Sequence, residues 1–321
     1  MVVGRMITSS GAESITLICS FLIKNYVEEK YYILMNCSLV LLSRALYATL
    51  YAGFPAVYAA TQSLEIVNMI PVASILFSLL CFSFLYSKVK DLDTAVEKSD
   101  TEGISFSDLK QLDIKYYSLV AISVTMLSSY WTFSFMLMQF LEGRAGLAYL
   151  DAKNVYAMTP MSQLATTAVN MTISLFYVNE VFFMTVCMFL QLGIFVGVPN
   201  YDGTGVYLGM AVCITQGIIG STFSSNFYSA LSKAVPKKIG PIGVALSETV
   251  TNIARFTAIW VSGKIIGEKA NVEKINEVMG NLKYFTMTAI FFGLLNLSGV
   301  LMYFTSKKEE PKKIDEDKKT K

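Results

Sequence analysis

The sequence predicts an all-α membrane protein with about nine transmembrane helices, and three observations carry that prediction. The 321 residues are 54% hydrophobic and only 16% charged, with a mean hydropathy of +0.50, whereas soluble domains carry about 25% charged residues. The apolar residues fall into nine runs, each near the roughly 20 residues that a spanning helix needs. The longest polar stretch between runs is KVKDLDTAVEKSDTEGISFSDLKQLDIK, from Lys88 to Lys115. The expected environment is therefore the lipid bilayer. The net charge of +2 comes with basic loops and a basic tail but no basic face, so nucleic acid is not expected as a partner.

In order, the first run, 4–24, is the least apolar and carries Glu13 near its midpoint. The second, 31–58, is long enough to tilt or to extend beyond the bilayer, and it holds Arg44 near mid-span. The third, 68–88, contains Pro71, expected as a kink. Residues 1–88 would then be a partial N-terminal bundle of three helices. Residues 89–115 read as a charged cytosolic linker with room for a short surface helix. The next six runs, 116–141, 153–178, 180–199, 204–230, 240–266 and 283–305, make a six-helix bundle over 116–305. Pro160 is expected to kink the second of these. Gly263 and Gly267 in GKIIG suit close helix packing. The tail 306–321, rich in lysine and acidic residues, has the composition of a disordered segment.

Basic residues orient the chain. Alternating loops on one side, with the tail, carry 17 of the 26, and the other side carries 7 (Arg5, Arg144, Lys153, Lys264, Lys269, Lys274 and Lys283). The richer side is assigned to the cytosol, so the chain would start outside or in a lumen and end inside. Arg44 and Arg255 belong to neither side, because each falls in mid-span.

Several functions are excluded or disfavoured. There is no histidine, so no histidine proton relay operates. The five cysteines, Cys19, Cys37, Cys81, Cys187 and Cys213, all lie in apolar runs without metal spacing and read as buried thiols. No phosphate-binding glycine loop, metal cluster or nucleophile constellation appears, so neither an enzyme nor a cofactor is expected. No basic n-region with a small-residue cleavage site opens the chain. The N-x-S/T matches at Asn36, Asn170 and Asn296 lie in apolar runs, where glycosylation is not expected.

A faint internal repeat crosses the linker. LSRA at Leu42–Ala45 and IARF at Ile253–Phe256 place two arginines 211 residues apart, each in mid-span after a short basic loop. Parallel six-helix repeats are the pattern of major facilitator transporters. In that frame the second and eighth runs are helices five and eleven of twelve, and the N-terminal bundle lacks its first three. GRMITSSGAES at Gly4–Ser14, followed by Lys30 and LSRA, resembles the fourth and fifth helices of the lysosomal dipeptide transporter branch of the major facilitator superfamily. NVYAMTPMSQLATTA at Asn154–Ala168 is similar to that branch's proline-containing eighth helix. IGVALSETVTNIARF at Ile242–Phe256 resembles its eleventh, with Glu248 and Arg255 as departures. The resemblance implies a dipeptide uniporter of a lysosomal or vacuolar membrane, with the plasma membrane as the alternative. It also implies, for some members, a glycosylated single-pass accessory subunit.

The candidate site follows from depth and charge. An ionised side chain at mid-bilayer costs about 2.5–3.5 kcal/mol on insertion scales, and such residues mark solute pathways more often than packing. Glu13 shares a polar stripe with Ser10, Thr16 and Ser20, and Arg44 shares a helix face with Tyr47 and Tyr51. Polar groups on other runs, namely Trp131, Asn154, Gln163, Asn252 and Arg255, are candidates to line the same cavity. A dipeptide is a zwitterion whose ends lie roughly 7 Å apart when extended. Glu13 suits the ammonium end and Arg44 can fork onto the carboxylate, which are also the roles the resemblance implies. Three alternatives stay open: Glu13–Arg44 as a structural ion pair, an organic anion or nucleotide held by Arg44 and Arg255, and a degenerate relative that transports nothing. Arg255 paired with Glu248 along one helix face is a structural option for that arginine.

Overall fold

The computed structural model describes residues 27–93, 106–143, 145–176, 179–200, 205–236 and 239–266, together with Cys19 and Ile23. Among the described residues all regular structure is helical. The eight α-helices are α1 (Tyr32–Thr61), α2 (Leu64–Asp93), α3 (Ile114–Gly143), α4 (Tyr149–Tyr156), α5 (Met158–Ser174), α6 (Glu180–Asn200), α7 (Val206–Ala234) and α8 (Gly240–Ile266). Short 3₁₀ turns at Glu29–Tyr31 and Phe106–Gln111 precede α1 and α3. Among the described residues, four helices are long and apolar enough to cross a membrane, over Leu64–Phe84, Ile114–Gly143, Glu180–Val198 and Val206–Ala234. With no water to pair exposed backbone groups, helix is the form such apolar runs take in lipid. The chain is an all-helical membrane protein. The expected runs 4–24 and 283–305 and the tail lie outside the described residues, as does Glu13.

The expected run 153–178 is two helices, and Pro160 gives the reason. Its ring nitrogen cannot donate to the Tyr156 carbonyl, and the ring crowds that same carbonyl. α4 stops at Tyr156, Ala157 holds the joint at φ −60° and ψ −19°, and α5 starts at Met158. Pro160 thus sits in the first turn of α5, where a missing N–H costs nothing. Pro71 differs: α2 runs through it without a break.

The chain divides into two compact units, residues 1–44 with 106–321, and residues 45–105. In the first, α7 is the central helix and packs against α3, α4, α5 and α6, while α3 also packs along α8. Small residues let backbones approach, as in other membrane bundles. A Cβ on Gly217 would come within 2.6 Å of the Thr159 carbonyl oxygen, and one on Gly209 within 2.8 Å of Leu141 Cδ2. Buried hydroxyls and amides bridge the seams. Asn170 Nδ2 donates to Thr222 Oγ1 at 2.9 Å and Thr167 pairs with Ser221, both between α5 and α7. Between α3 and α8, Tyr116 donates to the Gly243 carbonyl at 2.7 Å, and the Ser123 and Thr251 hydroxyls lie 3.0 Å apart. The start of α1 joins this unit through buried Tyr32, Ile33, Asn36 and Cys37, and Ser38 Oγ meets Met171 Sδ at 3.8 Å. The second unit is dominated by α2, most of whose large apolar side chains from Leu64 to Phe84 are exposed.

Candidate functional site

The candidate site grows around two consecutive aromatic residues of α3. Tyr130 is buried at 4% exposure, and its hydroxyl accepts a hydrogen bond from Gln163 Nε2 of α5 at 2.9 Å. It lies against Gly220 of α7, where a Cβ would sit 2.6 Å from Tyr130 Cζ, so only glycine admits the ring in that pose. Arg44, at the end of the first unit's share of α1, is close enough for its positive charge to act on the Tyr130 hydroxyl. Trp131 is next in sequence. Consecutive residues on a helix diverge by about 100°, so Trp131 looks past Tyr130 toward α8. The two rings meet edge to face with centroids 5.6 Å apart. Arg255 of α8 places its guanidinium carbon 5.1 Å from the centre of the Trp131 ring. A guanidinium at that distance is held by the ring quadrupole, an attraction of about 0.5–2 kcal/mol depending on desolvation.

The electrostatics are one-sided. Arg44 Nε and Arg255 Nε are both buried and without a hydrogen-bond partner. Among the described residues the ion pairs join Lys30 to Glu28 and Lys233 to Glu180, and neither arginine takes part. Arg255 turns to the Trp131 ring and does not pair with Glu248. One cation thus stacks on Trp131 and the charge of the other bears on Tyr130, and among the described residues neither Nε meets a protein acceptor. Such a group can take a carboxylate or another planar anion and stack an apolar portion on the rings.

Of the residues the sequence singles out, the structure brings Arg44, Trp131, Gln163 and Arg255 around Tyr130. Asn252 is half-buried on α8, one turn before Arg255. Asn154 is not in the group. It lies on α4, on the far side of the Pro160 break from Gln163, and its side chain is exposed. Tyr47 and Tyr51 lie on α1, but their side chains are outside what is described, as is Glu13. Sequence reasoning missed Tyr130 and Gly220 as parts of the site. The YWTFSF stretch marks the right turn of α3 without saying which ring is the hub, and only the packing partner distinguishes Gly220 from the other glycines of α7.

No protein-family model matches the chain, and no curated protein does. The class that fold and composition define is an all-helical membrane protein.

Proposed function

We propose that the chain is a major facilitator-type transporter, a dipeptide uniporter of a lysosomal or vacuolar membrane. In this reading Arg44 holds the solute's carboxylate, Glu13 its ammonium, and the Tyr130–Trp131 pair a side chain. One observation supports it most: Arg44 and Arg255 both keep a buried Nε without a partner around that pair. A charged side chain in a membrane interior is costly, and one whose buried Nε has no acceptor among the described residues is a candidate to hold a ligand. The absence of histidine favours passive uniport over proton coupling.

The test is dipeptide uptake into proteoliposomes. Arg44→Lys keeps the charge but loses the fork, so uptake should fall about 10–100-fold, the worth of one charged hydrogen bond. Glu13→Gln should fail as well. If Glu13 and Arg44 were only a structural pair, the double change to Gln would restore uptake by removing both buried charges. A second reading, an organic anion as solute, draws on the one-sided charge: among the described residues no carboxylate pairs with either arginine. Under it Glu13→Gln keeps transport, while Arg255→Gln abolishes it.

A further inference from the structure

Away from the aromatic pair, Asn170, Ile173 and Ser174 of α5, Phe183 of α6, Asn226 of α7 and Ile33 of α1 line a small cavity of about 10 Å³. That is space for one water-sized sphere. All six residues belong to the first unit, and none of them is part of the Arg44–Tyr130–Trp131–Arg255 group.

The polar groups of the cavity are biased toward acceptors. Both asparagine amides direct their nitrogens at one residue: Asn170 Nδ2 donates to Thr222 Oγ1 at 2.9 Å, and Asn226 Nδ2 donates to the Thr222 carbonyl at 2.8 Å. The second bond fixes the orientation of the Asn226 amide, because a carbonyl can only accept. The Oδ1 ends are what remain for the cavity. Ser174 gives its hydroxyl hydrogen to the Met171 carbonyl at 2.7 Å, leaving only its lone pairs. α5 ends at Ser174, so the negative end of its helix dipole lies on this side, although the Met171, Thr172 and Ile173 carbonyls already accept hydrogen bonds. One turn before Phe183 on α6, the Glu180 carboxylate adds negative field. It accepts from Ser229 Oγ at 3.0 Å and is partly balanced by Lys233.

A water molecule suits this poorly. It has two hydrogens for three side-chain acceptors, and its own lone pairs need donors. A small cation satisfies all the acceptors at once. Among the described residues no carboxylate lines the cavity, and sites for calcium or magnesium rely on carboxylates. We propose that the cavity binds one monovalent cation of sodium's size, held by Asn170 Oδ1, Asn226 Oδ1 and Ser174 Oγ. Bound there, it ties α5 to α7.

The test is thermal unfolding of the full chain in detergent, with sodium chloride replacing choline chloride at constant total salt. Choline cannot enter so small a space. Sodium should raise Tm saturably, by about 2–5 °C at a tenfold excess over its Kd. Asn226→Leu should abolish the rise, because the bond it loses is within α7 and no seam is broken. Ser174→Ala, which leaves the Thr222 contacts intact, should raise the half-effect concentration about tenfold, the worth of one oxygen ligand. It decides the matter if Asn226→Leu does not fold. Superimposed sodium and choline series would overturn the proposal in favour of a water. So would a sodium response unchanged in the folded variants, which would place the ion elsewhere.

Discussion

Tyr130 shows what one side chain does when three helices depend on it. Its hydroxyl is the acceptor for Gln163, its ring fills the space left by Gly220, and its edge meets Trp131. Tyr130→Phe keeps the ring but leaves Gln163 Nε2 without its buried acceptor, a loss of about 1–3 kcal/mol. Unfolding in detergent should show this drop. Adding Gln163→Leu should recover most of it, because removing both partners of a buried bond is nearly neutral. A double variant as unstable as the single would mean that the ring's pose, and not the bond, carries the energy. The charged candidates were legible from the sequence because a lone Arg in a 20-residue apolar run has no bland background to hide in. Tyr130 was not, being one of 18 tyrosines in a chain where aromatic residues are common. Asn154 stood out as a polar residue in an apolar run, and it is exposed on a helix that ends two residues later at Tyr156.

The elements were legible where hydropathy and length decide, as for α3, α6 and α7, whose observed bounds fall within a few residues of the expected runs. Joints were less so. Pro160 announces a break, but its position at Ala157 follows from the carbonyl four residues back. Pro71, by contrast, sits inside a continuous α2. The α5–α7 seam was not legible at all, because a seam is a relation between helices. Gly217 makes it testable. Its hypothetical Cβ meets a backbone atom, the Thr159 carbonyl oxygen, which cannot swing aside, so Gly217→Ala should cost about 1–3 kcal/mol. Gly193 and Gly197 of α6 have nothing within 4 Å of a Cβ. Alanine at either should be neutral or stabilising by up to about 1 kcal/mol, since glycine is the poorer helix former. Equal losses at all three positions, read from detergent unfolding curves, would show that the seam is not close-packed.

At the scale of the whole molecule, topology rests on lysine counts, and two contacts support it independently. The side with 17 basic residues includes the start of α6 and the end of α7, and Glu180 at the first is ion-paired to Lys233 at the second, 2.5 Å apart. The other side includes the turn after α3 and the turn before α7, and Gly205 N donates to the Ala145 carbonyl across them at 2.8 Å. Each contact joins two chain ends that the basic residues assign to one side. Lys98 and Lys274, both outside the described residues, belong to opposite sides by the same count. Single cysteines at these positions, in a chain whose five native cysteines are replaced, should therefore differ when sealed vesicles meet an impermeant thiol reagent. The position at 98 should react from the side that also exposes the C-terminal lysines, and the position at 274 only after the vesicles are opened. If both react before opening, an odd number of the expected spans between them fails to cross. The fault would then lie among the runs from 116 to 266, where the least apolar is the one that Pro160 breaks into α4 and α5.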